Sequence, residues 1–136
     1  MAKTMRAKCL EALQLLRRLE EADENGYCSC VTCDKISKWN DGIQGGHFID
    51  KGHSSFWALE ECNIFPQCSG CNNFGMKHGT ARYTYQKFME SKFGEKFVEN
   101  MIETKKDIRK FYAADYRDML ANLKARIKTE KQRIGE

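Results

Sequence analysis

The sequence predicts an α+β fold in which a small, cysteine-rich β centre lies between an N-terminal helix and C-terminal helices. Three observations predict it. Leu10, Leu13, Leu16 and Leu19 recur at helical spacing near the start. Between residues 27 and 80 that pattern gives way to two C-x2-C units and to glycines at 42, 45, 46, 70, 75 and 79. Beyond residue 85 apolar residues return at three- and four-residue intervals. A chain of 136 residues fits one domain. It is read here as a helix over 1–26, a core over 27–94 and basic helices over 95–136.

The elements follow in order. The first helix spans roughly residues 4–24, and Asn25-Gly26 ends it because both residues tolerate left-handed backbone. Its basic, then apolar start is interrupted by Glu11 and Gln14, with Arg17 and Arg18 where a small-residue cleavage site would lie, so it reads as an amphipathic helix and not a signal peptide. No apolar run reaches the ~20 residues needed to span a membrane, and a cytoplasmic protein is expected. Residues 42–49 and 63–67 suit short strands. Tyr85, Phe88, Met89 and Phe93 mark a helix stopped by Gly94, and Phe97, Val98, Met101 and Ile102 mark another. Thr104-Lys105-Lys106-Asp107 reads as a capping box opening a last helix. Tyr116, Leu120, Leu123, Ile127 and Ile134 approximate a heptad seam along it, broken by Glu130. Two partners suit that seam: a second copy of the chain in a symmetric homodimer, or the chain's own N-terminal leucine face.

The charge excess of +4 lies entirely in residues 101–136, with ten basic and six acidic side chains. Lys124, Arg126, Lys128, Lys131 and Arg133 crowd its end and suit either a phosphate-binding surface or a solvated helix face. Trp39 and Trp57 are expected to pack, with base stacking a lesser role for Trp57.

Seven cysteines need an explanation in a reducing compartment, where they serve as metal ligands or buried thiols more often than as disulfides. Cys30-Val31-Thr32-Cys33 and Cys68-Ser69-Gly70-Cys71 are matched knuckles with 34 residues between them. Two residues between cysteines let both sulfurs face one ion, and two such units close a tetrahedral zinc shell. A closed shell leaves no position for substrate, so this zinc is structural. Cys28 is an alternative ligand, in C-x4-C spacing with Cys33. Cys9 and Cys62 read as small buried hydrophobes. A redox role for the C-x2-C units is the competing reading.

Between and beside the knuckles stand Gly45-Gly46-His47-Phe48-Ile49, then Asn63-Ile64-Phe65-Pro66-Gln67-Cys68-Ser69-Gly70-Cys71-Asn72-Asn73, then His78-Gly79. This order resembles the HNH nucleases (ββα-metal, or His-Me finger) and, more closely, the lambdoid phage NinG (Rap) family of recombination endonucleases. The resemblance covers about residues 28–94. It implies a strand ending in His47, a second strand, and a helix starting at the second knuckle and packing across both. It also implies cleavage of branched DNA, including Holliday-type junctions and D-loops, in the host cytoplasm for a phage-encoded chain.

By that resemblance His47 is the general base, which at a pKa near 6.5 takes a proton at neutral pH. Asn72 helps hold a catalytic Mg²⁺ or Mn²⁺, ions that prefer oxygen ligands. Asn63 completes the catalytic set by fixing the loop that carries His47. Relatives often have Asp before the His; here Gly46 stands there, and Asp50, Glu61 and His78 are candidates for the second ligand. Thr80 stands where the family would have Asn. His53 and His78 are candidates for phosphate or metal contact, and Lys77 joins the basic residues of the tail as a DNA contact. No small-molecule substrate is expected. The alternatives are a sequence-specific HNH nuclease of restriction or homing type, and a non-catalytic zinc module that binds nucleic acid.

Overall fold

The computed structural model describes residues 2–52 and 54–136, so His53 lies outside the described residues. The first helix, α1, runs Met5–Glu20 behind Thr4, whose hydroxyl accepts the Ala7 N–H at 3.1 Å. Cys9, Leu13, Leu16 and Leu19 form its buried face. It stops short of the expected residue 24 because Asp23 turns the chain: its carboxylate accepts the Asn25 and Tyr27 N–H groups, each at 2.9 Å. Gly26 follows with φ 87°.

The centre contains two antiparallel ribbons. Strands β1 (Tyr27–Ser29) and β2 (Ile36–Lys38) pair as a hairpin with the first knuckle at its turn. Strands β3 (Ile43–His47) and β4 (Ile64–Cys68) pair with His47 opposite Ile64 and Ile43 opposite Cys68. These two lie within or one residue beyond the expected ranges, whereas β1 and β2 were not expected. Three residues are too few for an alternating pattern to show.

Neither face of the β3–β4 ribbon is open. Successive residues of a strand point to opposite faces. Ile64 joins Leu13 and Leu16 of α1, while Phe65 joins Tyr85, Met89, Val98 and Met101 on the other side. The α1 backbone lies so close to β3 that a Cβ at Gly45 would stand 2.7 Å from the Gln14 carbonyl oxygen. Arg17 and Arg18 fasten the same contact, donating to the carbonyls of Ile64 (3.0 Å) and Ile43 (3.1 Å). On the opposite face the Tyr85 hydroxyl accepts the Phe65 N–H at 3.0 Å and donates to the Gly46 carbonyl at 2.6 Å, tying the two strands together.

After β4 the chain enters a wide helical turn at Cys71–Gly75 and a short α2 (Met76–His78), then α3 (Ala81–Phe93) and α4 (Glu95–Glu103), with Gly94 at φ 93° between the last two. The last helix, α5, spans Ala113–Arg133. It does not open at Thr104–Asp107 as the capping pattern suggested. Thr104 instead closes α4: its hydroxyl donates to the Asn100 carbonyl at 2.7 Å and accepts the Trp57 indole N–H at 3.0 Å. Trp57 is buried, which removes it as a base-stacking platform. The acidic partner at the start of α5 is Asp115, which accepts the Tyr112 N–H at 2.8 Å.

Of the two partners the sequence allows for the α5 seam, the structure shows α1. Leu123 is buried there with Cys9, Leu13 and Leu16, flanked by Tyr116, Leu120 and Ile127. A homodimer through this seam would have to displace α1. Several basic residues of α5 also have internal partners. Arg126 pairs with Glu20 at 3.1 Å and with Glu61. Arg133 donates to the Leu19 and Ala22 carbonyls at 2.8 and 2.9 Å, capping the end of α1. Lys131 lies over the Trp39 ring. Lys124 and Lys128 remain exposed. Among the described residues no helix is long and apolar enough to cross a membrane.

Candidate metal centre and adjoining cleft

The β1–β2 turn and the end of β4 bring four sulfurs together. Those of Cys30, Cys33, Cys68 and Cys71 all lie within 4.8 Å of one another. The Cys33 and Cys68 sulfurs are 3.7 Å apart. A tetrahedral zinc with bonds of ~2.3 Å separates its sulfurs by about 3.8 Å, so the cluster can hold one zinc ion.

The charges of Cys30 and Cys71 point the same way. Burial alone would raise the Cys30 thiol, but hydrogen bonds from the Thr32 side chain and from the backbone N–H groups of Cys68, Thr32 and Cys33 pull it down to about 6. Burial and the neighbouring sulfurs push Cys71 up to about 12. A thiol pulled down beside one pushed up is the pattern a dication relieves. Cys28 stands apart: its thiol donates to the Arg18 carbonyl at 3.2 Å, and burial raises it to about 11.

One strand length away, β3 ends in His47, which is 9% exposed. Its Nε2 lies 2.8 Å from the Ala58 carbonyl oxygen. A carbonyl only accepts, so Nε2 carries the proton and Nδ1 keeps the lone pair. Burial lowers the imidazole from its ordinary 6.5 to about 4, so it is neutral at pH 7. Asn63 is fully buried and spans the loop that follows. Its carbonyl oxygen accepts the Ile49 N–H at 2.8 Å, and its NH₂ donates to the Ile49 and Trp57 carbonyls at 2.9 and 3.0 Å. Both ends of the loop that brings Ala58 to His47 are thereby fixed.

Gly46 has a local reason. A Cβ there would collide with the buried side chain of Gln67 of β4, whose NH₂ donates to the Thr32 hydroxyl at 3.2 Å. Thr32 in turn lies 3.3 Å from the Cys30 sulfur. An aspartate before His47 is therefore incompatible with this packing.

His47 lines a cleft of about 270 Å³ together with Asp50, Lys51, Asn72, Lys77 and Arg82. Asn72 donates its NH₂ to the Gln44 side-chain oxygen at 2.6 Å, which leaves its own carbonyl oxygen free to accept or ligate. Of the three candidates for a second ligand, only Asp50 lines this cleft. Its carboxylate accepts the Gly52 N–H at 2.7 Å. Glu61 is engaged by Arg126 on another face, and His78 is exposed against the Phe74 ring. Thr80 precedes α3 without a side-chain cap. The residues the sequence reading missed are Gln14, Arg18, Gln44, Lys51, Asn73 and Arg82, on the cleft or its continuation along α1. Gln14 and Arg18 share a helical face by their i, i+4 spacing. In the sequence the stronger leucine periodicity of the same helix masks that spacing.

A family model described as NinG, bacteriophage lambda NinG protein, matches residues 6–133. No curated protein and no solved structure matches the chain.

Proposed function

Because the chain belongs to the family of the bacteriophage lambda NinG protein, we propose that it is a metal-dependent endonuclease of the HNH type. Its substrate would be branched DNA such as four-way recombination junctions. The observation that carries this reading is the arrangement around His47. A neutral imidazole lies at a strand end with Nε2 committed to the Ala58 carbonyl and Nδ1 left as its acceptor, on a cleft that also holds Asn72, Asp50 and three cations.

Each group has a task. His47 accepts the proton of the attacking water at Nδ1. The carbonyl partner on Nε2 fixes the ring and stabilises the positive charge that forms on it. Asn63 holds the loop behind it. Lys51, Lys77 and Arg82 offer positive charge to phosphate oxygens. The oxygens of Asn72 and Asp50 suit Mg²⁺ or Mn²⁺ better than a softer ion. A divalent ion there would supply charge for the leaving oxygen and a more acidic water. The cysteine cluster is the scaffold, joined to β4 through the Thr32–Gln67 hydrogen bond, with Gln67 packed against Gly46 of β3.

A second reading has an observation of its own. His47 is largely buried and lowered to about 4, which also describes a structural histidine in a module that binds DNA without cutting it. Incubation of a labelled four-way junction and a matched linear duplex with Mg²⁺, with Mn²⁺ or with neither separates the readings. The nuclease cuts the junction near the branch only when the ion is present. Fixed cuts in the duplex point to a sequence-specific enzyme, and binding without cuts points to the module.

A further inference from the structure

The cleft at His47 does not end there. A second hollow of about 530 Å³ shares Gln14, Gly45, Lys51, Asn72 and Asn73 with it and extends along α1 to Arg18. The two form one continuous trough, with β3 as its floor. One end carries Lys77 and Arg82, the shared middle carries Lys51, and the far end carries Arg18. Asp50 and Glu11 are the acidic side chains along it.

Arg18 differs from its neighbour in the way that matters. Arg17 is paired with Glu20 at 3.2 Å and Glu21 at 3.7 Å. Arg18 makes a single side-chain hydrogen bond among the described residues, from Nη1 to the Ile43 carbonyl, and no ion pair. Its Nε is buried without a partner. A guanidinium has five N–H donors in a rigid fork, so most of this one is unused. It is a partly buried cation, fixed to β3 at one corner and lacking an anion. Arg126 and Arg133 of the basic tail, by contrast, already hold carboxylates.

We infer that Arg18 is an anion subsite for a backbone phosphate of the bound strand, adjacent to the phosphate at His47, and that DNA lies along this trough and not on the α5 tail. This rests on the proposed nuclease reading for the identity of the ligand. The amides along the trough, Gln14, Gln44 and Asn73, can hydrogen-bond sugar or base edges of the same strand.

Binding of a fluorescein-labelled four-way junction, followed by anisotropy across a NaCl series without added Mg²⁺ or Mn²⁺, tests it. Arg18→Gln and Lys51→Ala should each weaken binding about tenfold, with a salt dependence shallower by about one phosphate contact. Arg18→Lys should recover only part of the loss, because the fork is gone. Lys124→Ala, on exposed α5, should stay within twofold of wild type. Arg18 also supports β3, so zinc content and melting temperature accompany each variant; if Arg18→Gln misfolds, Arg18→Lys, which keeps the charge and loses the fork, decides by its partial loss. Wild-type affinity and salt slope in folded Arg18 variants would overturn the subsite whatever Lys51→Ala does, as would a tenfold loss in Lys124→Ala alone. Cleavage is read separately. A chain that binds through the trough yet never cuts keeps the subsite and loses the nuclease; one that cuts with unaffected variants does the reverse.

Discussion

The centre and the helical flanks are held together by different physics. In the centre, strands of three to five residues supply few core side chains of their own, chiefly Ile43, Ile64 and Phe65, and take the rest of their packing from the helices. Their order depends on a few polar groups with fixed partners: four clustered sulfurs, the fully buried Asn63 and Gln67, and the Tyr85 hydroxyl between two strands. In the flanks, α1 and α5 meet along a stripe of aliphatic side chains, Leu13, Leu16 and Leu123 among them. Hydrophobic packing is graded and tolerant of change. A polar network fails when one member is lost. The centre should therefore lose its structure abruptly and the flanks by degrees. The cleft sits where the two regions meet, with His47 and Asn72 from the centre and Gln14 and Arg18 from α1.

The sharpest contrast comes from the metal. Structural zinc in small domains is worth on the order of 10 kcal/mol of folding free energy, more than the centre's short strands can replace. Cys68→Ser, or a strong chelator, should abolish the β signal by circular dichroism and leave less than one zinc per chain by metal analysis. A zinc-free protein melting like the wild type would remove the cluster from the account.

In the flanks, Leu16→Ala should cost about 2–5 kcal/mol by denaturant titration. Zinc should stay bound, because α1 carries no cysteine of the cluster. Loss of zinc in that variant would mean that the two regions fold as one unit.

Acid should act through the centre. With His47 lowered to about 4 from an unfolded value near 6.5, the folded chain binds fewer protons than the unfolded chain between those values. The buried neutral ring contributes fully above about pH 6.5, and its contribution is lost as pH falls towards 4, on the order of 3 kcal/mol in all. His47→Gln should show a smaller fall in stability over that window. Equal slopes would place His47 nearer its ordinary pKa.

The smallest effect is expected at the helix end. Arg133→Ala removes two hydrogen bonds, to the Leu19 carbonyl of α1 and to the Ala22 carbonyl just beyond it, and should cost about 1 kcal/mol. Amide exchange should quicken at residues 17–22 while the centre is unchanged.

The same division governs what was legible in the sequence. Knuckle spacing marked the sulfur cluster because a tetrahedral ion constrains spacing along the chain. The short β1–β2 hairpin was invisible because it draws its order from that cluster and not from periodicity. The leucine and α5 stripes were visible, but a stripe does not say whether its partner is α1 or a second copy. Charge was misleading for the same reason: Arg126, Lys131 and Arg133 look free in the sequence, and their partners Glu20, Trp39 and the Leu19 carbonyl are more than 90 residues away. Thr104 made a convincing cap until Trp57, 47 positions earlier, engaged its hydroxyl. The α1 wall of the cleft went unread because Gln14 and Arg18 acquire meaning only once β3 lies against them.

The central claim, that His47 in this cleft is the base of a DNA-cutting reaction, is tested most directly by cleavage of a labelled four-way junction under single-turnover conditions. Wild type and His47→Ala would be compared in Mg²⁺, each with its zinc content and junction affinity measured. Wild type should cut near the branch, and His47→Ala should cut at a rate at least ~10²-fold lower with zinc and affinity retained. A zinc-loaded wild type that binds the junction and never cuts it in Mg²⁺ or Mn²⁺ would contradict the account, as would a His47→Ala variant that cuts at the wild-type rate.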